Sequence, residues 1–168
     1  DPYTGRHMGQ VAEERVKAHK LTREEQDEYA IDSYKRAQHS VTSGLFDIEI
    51  VPVVKTTRKK EVIVDKDEEP FQVKFDKLTG LRPVFAKDGS ITAANASTIN
   101  DGAAFSLLVS EAAVEKYNLK PKARLVAYAT ASMHPDLFPD VPVLAMERAL
   151  EKAGLKAEDI GRFEINEA

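Results

Sequence analysis

The sequence predicts a layered α/β architecture led by a helical module, on three observations. From residue 98 onward, a nearly continuous apolar run at Ala103–Val109, an apolar strand at Arg124–Ala131 and a third strand at Ile160–Ile165 alternate with helical stretches. That is the rhythm of a sheet covered by helices. Residues 8–43 carry apolar side chains at helical spacing, with a capping box inside. Between these regions Ile48–Val54 and Glu61–Val64 flank the basic tip Arg58-Lys59-Lys60, the pattern of a hairpin or strand pair.

Taken in order, Met8, Val11, Ala12 and Val16 mark a short amphipathic helix over Met8–His19. Thr22 and Glu25 form a capping box, and Glu24, Glu25 and Asp27 sit near the positive end of the next helix. Its buried stripe is Ala30, Tyr34, Ala37 and Val41, and Ser43-Gly44 stops it. Asp65–Glu69 is an acidic link, Pro70 a breaker, and Phe71–Leu81 is expected to be irregular. Asn100-Asp101-Gly102 is a turn that feeds the first apolar run. Ser110 caps a short helix over Glu111–Tyr117. Pro142–Ala153 carries Leu144, Met146, Ala149, Leu150 and Ala153 on one helix, and Gly154-Leu155 suits a left-handed C-cap.

The composition narrows the function. A chain of 168 residues with 42% apolar content can bury a core. Its net charge of −4 gives no basic face for nucleic acid. No run approaches the roughly 20 apolar residues that span a bilayer. Zero cysteines exclude disulfides, thiolate metal sites and a thiolate nucleophile within these residues. Asp1–Gln10 lacks the layout of a signal peptide. Phe163-Glu164-Ile165 runs as a strand straight into the last residues, so the chain is expected to be an internal piece of a longer one.

Gly89–Gly102 is the segment most suited to a ligand. Ala93, Ala94, Ala96 and Ser97 carry little bulk, so a ligand can approach the backbone, and Asn95, Ser97 and Asn100 offer hydrogen bonds. A tight structural loop before a core strand explains the same residues. His7 is either a ligand-facing imidazole or general base, or a packing residue ahead of a helix. The other histidines, His19, His39 and His134, are scattered without metal-ligand spacing. Asn166 follows a strand, where α/β sites gather ligands, or else ends that strand in a turn. Lys74, Lys77, Arg82 and Lys87 offer cations to an anionic ligand, or form a solvated face.

Four strings occur here in thiolase order: His7-Met8-Gly9, Ser33-Tyr34 in the capped helix, Ala93-Ala94-Asn95-Ala96-Ser97 with Asn100-Asp101-Gly102, and Asn166-Glu167-Ala168. Together they span essentially the whole chain, which resembles the thiolase family, in particular acetoacetyl-CoA thiolases of the mitochondrial type. The resemblance implies a thiolase fold fragment: two similar layered α/β halves in five layers, with a helical/β loop domain inserted into the first. Residues 1–97 would be most of the loop domain, 98–119 the last strand and helix of the N-terminal half, and 120–168 the start of the C-terminal half.

The resemblance also implies the chemistry. Such enzymes condense two acetyl-CoA to acetoacetyl-CoA and CoA and run the thiolytic reverse, with 2-methylacetoacetyl-CoA a further substrate. Their nucleophilic cysteine would lie before Asp1, and their catalytic histidine and second cysteine after Ala168, so the segment alone would be inactive. Asn166 would hold an oxyanion-hole water. Ser97, His7 and Met8 would line the pantetheine and acyl end of the coenzyme A site, and Lys77 its nucleotide end. Gln72 stands where mitochondrial-type enzymes carry an arginine, which puts the adenine-side contacts in question. Phe138-Pro139 is similar to the pair linked to branched acyl groups. Tyr34 with the carbonyls of Ala93, Ala94 and Ala96 would surround a potassium ion, unless Tyr34 is an ordinary core aromatic. No covalent cofactor is implied. A homo-oligomer, dimer or tetramer, is implied for the whole protein, without nucleic acid or membrane. Location leans mitochondrial, although Lys66–Pro70 is similar to a fungal cytosolic enzyme. The alternatives are a longer-chain 3-ketoacyl-CoA thiolase or a non-catalytic acyl-CoA-binding scaffold.

Overall fold

Helix α1 (Met8–Ala18) begins at a histidine cap. The Gly9 amide donates to His7 Nδ1 at 3.1 Å, while the His7 amide donates to Gln10 Oε1 at 3.0 Å. This uses the reciprocal logic of a capping box with an imidazole as acceptor. Helix α2 (Arg23–Thr42) opens as its sequence predicts. Glu25 donates its amide to Thr22 Oγ1 at 3.2 Å, and Thr22 donates its own to Glu25 Oε2 at 2.7 Å. The Thr22 hydroxyl also donates to Glu25 Oε2 at 2.9 Å, and the two bonds from Thr22 to this carboxylate, the backbone one first, hold it below its ordinary range.

The computed structural model describes residues 2–58 and 60–167. They fall into two compact units, one of Gly5–Ser97 and one of Asp1–Thr4 with Thr98–Ala168. Among the described residues no helix is long and apolar enough to cross a membrane.

Within Gly5–Ser97, α1 and α2 supply the buried faces, through Val11 and Ala30, and Leu78 joins them in the core. The α2 stripe of Ala30, Tyr34, Ala37 and Val41 is turned inward as predicted, from buried to half-buried. The strand pair exists in a shifted form. β1 (Val53–Thr56) and β2 (Glu61–Val64) are antiparallel, with Val53 opposite Val64 and Thr56 opposite Glu61. The Thr57 amide and hydroxyl both donate to the Lys60 carbonyl, at 2.9 and 2.6 Å, closing the turn that sets this register. Lys59 of the predicted basic tip lies outside the described residues. Ile48 belongs to the turns after α2 and not to a strand. β2 ends at Val64, so residues before Val53 have no strand to pair with.

Phe71–Leu81 is more regular than predicted. A 3₁₀ turn (Glu69–Phe71) and helix α3 (Phe75–Leu78) occupy it. Burial of Leu78 anchors the turn of α3. Arg23 Nη2 donates to the carbonyls of Leu78, Thr79 and Leu81 at 3.4, 3.3 and 3.0 Å, satisfying groups that a short helix leaves open.

In the second unit Ser110 caps helix α4 (Glu111–Lys116), accepting the Ala113 amide at 3.2 Å. A 3₁₀ turn (Pro135–Asp140) leads into helix α5 (Val141–Ala153). The predicted strands Ala103–Val109, Arg124–Ala131 and Ile160–Ile165 carry no ladder among the described residues. Most of their large apolar side chains stay in solvent, Phe105 completely and Tyr128 largely. A strand is completed by a hydrogen-bonding neighbour, and none of these segments has one. Two carbonyls of the second run are taken instead by α5. Arg148 Nη1 donates to Thr130 O at 3.0 Å and Lys152 Nζ to Tyr128 O at 3.2 Å.

The ends of α1, α2, α4 and α5, though not of the short α3, follow one rule. Lys20, Gly44, Asn118 and Gly154 adopt left-handed φ of 56°, 69°, 49° and 66°. Each is followed by a leucine whose amide reaches back to a last-turn carbonyl: Leu21 to Val16, Leu45 to Ser40, Leu119 to Val114 and Leu155 to Leu150, all at 3.0 Å. These are Schellman closures. The sequence marks the two glycine ends; the lysine and asparagine ends carry no such mark.

Candidate functional site: a clamped loop of small residues

The loop Gly89–Ala96 is held by polar side chains from α1 and α2. Glu13, only 3% exposed, accepts the Ser90 amide with both carboxylate oxygens at 3.0 Å and the Ile91 amide at 2.8 Å. The Ser90 hydroxyl adds a longer bond of 3.4 Å. A Cβ at residue 89 would overlap the Glu13 carboxylate, so glycine is what lets the loop come this close. Gln26 Nε2 donates to Ser90 Oγ at 2.9 Å.

Asn95 knits the far side of the loop. Its Oδ1 accepts the Thr92 amide at 2.7 Å, while Nδ2 donates to Ser90 O at 3.1 Å and to Asp27 Oδ1 at 2.9 Å. Asp27, 2% exposed, is paired through Oδ2 with Arg23 Nε at 2.8 Å. Thr92 is fully buried; its Oγ1 accepts the amides of Ala94 and Asn95 at 3.2 and 3.3 Å, and its carbonyl the Ala96 amide at 3.0 Å. A buried carboxylate is costly unless its lone pairs are used, and both carboxylates here use theirs on several donors. Among the described residues, the carbonyls of Ala93, Ala94 and Ala96 accept no backbone hydrogen bond.

His7 takes its packing place ahead of the helix: it caps α1 and stacks on Phe85, with ring centroids 4.8 Å apart and planes at 23°. Since Nδ1 accepts from Gly9, the ring proton of the neutral form sits on Nε2. Gly9 leaves room for the Phe85 ring, which a Cβ would overlap. Met8, Gln72, Lys77, Ala93 and Ser97 are exposed, and Ala94 and Ala96 half-buried. Tyr34 is half-buried; its hydroxyl donates to Glu69 Oε1 at 3.1 Å, and its ring meets Phe75 edge-on at 6.4 Å. Burial first, then the Glu69 charge and hydrogen bond, raise the Tyr34 pKa above its ordinary 10.0. Gln38 Nε2 donates to Pro70 O at 2.7 Å, docking the same turn on α2.

In the second unit Phe138 is half-buried within the 3₁₀ turn and Asn166 is exposed; Ala168 lies outside the described residues. Two open depressions, of about 510 and 400 Å³, lie elsewhere. One is lined by Val41, Thr42, Lys66, Asp67, Glu68 and Phe71, the other by Leu125–Tyr128 and Lys152. Neither is lined by one of the ligand-binding or potassium residues expected from the sequence. No cluster of three or more His, Asp or Glu side chains suited to a metal occurs among the described residues. Sequence reasoning missed Glu13 and Thr92 and took Asp27 for a dipole residue. Glu13 lies three residues before Val16 and Asp27 three before Ala30, beside the apolar stripes, where a helix carboxylate is ordinarily solvated.

Residues 1–112 match the family of the thiolase N-terminal domain, and residues 119–168 that of the thiolase C-terminal domain. The chain belongs to the thiolase family. This thiolase chain is 49% identical over 168 residues to an acetyl-CoA acetyltransferase of Yarrowia lipolytica, matching 100% of itself and 42% of that protein. It is 46% identical over 170 residues to a mitochondrial acetyl-CoA acetyltransferase of Bos taurus, matching 100% of itself and 40% of that protein. It is similar in structure to the acetyl-CoA acetyltransferase of Bacillus anthracis, at a TM-score of 0.90 and 43% identity, over 95% of this chain and 41% of that one. A human mitochondrial 3-ketoacyl-CoA thiolase is similar at a TM-score of 0.87 and 38% identity, over 100% and 43%. The chain thus carries part of the thiolase fold and spans about two fifths of the length of these relatives.

Proposed function

We propose that this chain is the acyl-CoA-binding portion of an acetyl-CoA C-acetyltransferase. The observation that carries the reading is the clamped alanine loop in a chain 49% identical, over its whole length, to an acetyl-CoA acetyltransferase. A loop with so little side chain, made rigid by buried carboxylates, suits close approach of a flexible pantetheine arm. Ser97 offers a hydroxyl there, with His7 and Met8 toward the acyl end; Lys77 supplies a cation for the nucleotide end, and Gln72 a neutral amide beside it. Phe138 is the apolar surface for the acyl group or a branch on it. Asn166 orients the water of an oxyanion hole, whose fixed dipole favours the charge that grows on the thioester oxygen. Residues 1–97 serve as the inserted loop domain, 98–119 close the first thiolase half, and 120–168 open the second.

The nucleophile belongs to other parts of the enzyme, since these 168 residues hold no cysteine. A thiolate there takes the acetyl group from acetyl-CoA and releases the CoA thiolate, which picks up a proton; a second acetyl-CoA gives a methyl proton to a base outside these residues, and its carbanion attacks the acyl carbon and releases the enzyme thiolate. Potassium fits the donors on the loop. The carbonyls of Ala93, Ala94 and Ala96 lack backbone donors, and Tyr34 brings a neutral hydroxyl beside Glu69. Neutral oxygens replace the water shell of a large monovalent ion without adding charge. The whole enzyme works as a homo-oligomer, in mitochondria or in the cytosol, where relatives of both kinds occur.

The resemblance to a human 3-ketoacyl-CoA thiolase supports a second reading, a longer-chain enzyme, but its 38% identity is below the 49% of the acetyl-CoA relative. Titration calorimetry of the chain with acetyl-CoA and with a long 3-ketoacyl-CoA separates the two. Saturable acetyl-CoA binding, tighter in potassium than in sodium, is expected. No binding of either thioester would remove the function. Acetoacetyl-CoA cleavage by the purified 168 residues should stay at the uncatalysed rate, and turnover would refute the placing of the nucleophile elsewhere.

A further inference from the structure

We propose that Glu13 and Asp27 are positioning residues for the coenzyme-A-facing loop, two acceptor-only carboxylates that fix its conformation through Ser90, Ile91 and Asn95. The loop's role in binding rests on the function proposed above; the clamp itself rests on geometry alone. Every polar partner of Glu13 in the loop is a donor: the Ser90 amide, the Ser90 hydroxyl and the Ile91 amide. Asp27 likewise faces two donors, Asn95 Nδ2 and Arg23 Nε. A carboxylate matches such sites, whereas an amide would turn an NH₂ toward one of the donors.

Asn95 is the complementary piece. It must accept from the Thr92 amide on one side and donate to Asp27 and the Ser90 carbonyl on the other, which only a carboxamide can do. Gly89 admits Glu13 from α1, and Arg23 ties Asp27 to the carbonyls after α3. The loop is therefore clamped to two helices at once. Its unclaimed carbonyls at Ala93, Ala94 and Ala96 are held in place by residues that touch no ligand themselves. Glu13 and Asp27 act through the backbone, not on the thioester.

The test uses the 168-residue chain with Glu13→Gln, Asn95→Asp, Asn95→Asp combined with Asp27→Asn, and the exposed control Glu24→Gln. In ¹H–¹⁵N spectra the Ser90 and Ile91 amide protons should lie downfield, as expected for donation to a carboxylate. They should move upfield in Glu13→Gln and stay put in the control. In titrations with acetyl-CoA, Glu13→Gln and Asn95→Asp should each weaken binding at least fivefold. Asn95→Asp sets a carboxylate against both Asp27 and the Ser90 carbonyl; adding Asp27→Asn restores a donor–acceptor pair at the first contact and should recover part of the loss. Unmoved Ser90 and Ile91 amides in Glu13→Gln would overturn the proposal, as would a double variant no better than Asn95→Asp alone. Should Asn95→Asp not fold, Glu13→Gln decides by itself. If the unaltered chain binds no acetyl-CoA, the functional reading falls, while the amide shifts still judge the clamp.

Discussion

The unit Gly5–Ser97 holds a loop of alanines in one shape with buried charges, whereas the unit from Thr98 onward leaves its most apolar segments in water. Yet both close their longer helices with a left-handed residue followed by leucine. The difference separates two kinds of interaction. A cap or a Schellman closure is completed by residues a few positions apart, so it forms wherever its sequence occurs. A sheet strand needs a partner far along a chain. Phe105, Leu107, Tyr128 and Phe163 have strand-forming chemistry without one among the described residues.

The largest effect expected from that contrast is in amide hydrogen exchange. Amides of 103–109, 124–131 and 160–165 should exchange on the order of a thousandfold faster than those in the middle of α2. Protection equal to that of α2 would show that these segments do pair, and would erase the contrast. Next comes Glu13→Ala, which leaves the Ser90 and Ile91 amides without their acceptor. It should cost about 3 kcal/mol in urea unfolding. A loss under about 0.5 kcal/mol, the range of ordinary surface substitutions, would mean that the loop holds itself.

A smaller change sharpens the shared feature. Lys20→Gly removes a side chain from a left-handed backbone of φ 56°. It should add roughly 0.5–1 kcal/mol, net of the freedom glycine gains in the unfolded chain. A destabilised variant in thermal melts would show that Lys20 contributes more through its side chain than its backbone loses.

The most local effect is at Tyr34. Its folded pKa lies above the unfolded value near 10, so between those two the unfolded chain has lost a proton that the folded chain keeps. The contribution of this group is full below pH 10 and drains away as pH rises through the window. Ultraviolet titration of the phenolate should show the raised midpoint, with Glu69→Gln bringing it down. An unshifted midpoint would detach Tyr34 from Glu69.

Much of the first unit was legible in the residue string. Thr22 and Glu25 announced their capping box, the α2 stripe its inward face, and Gly44 and Gly154 their helix stops. The loop at Ala93–Ala96 could be singled out by its smallness. Its supports could not. Glu13 and Asp27 look like any solvated helix carboxylate, and their burial depends on residues 77 and 68 positions away folding back onto them. The hairpin register was illegible for a related reason: β-branched residues extend from Ile48, but the Thr57–Lys60 turn and the length of β2 select Val53–Thr56.

By itself, then, the sequence determined what is short-range: helix starts, helix stops, the amphipathic faces, and the absence of a thiolate. Tertiary structure alone decided which carboxylates are buried, which amides they accept, and which apolar runs become strands. The physical reason is reach. A cap satisfies its own backbone within one turn, while a buried charge or a strand is stable only when a distant segment supplies the matching donors.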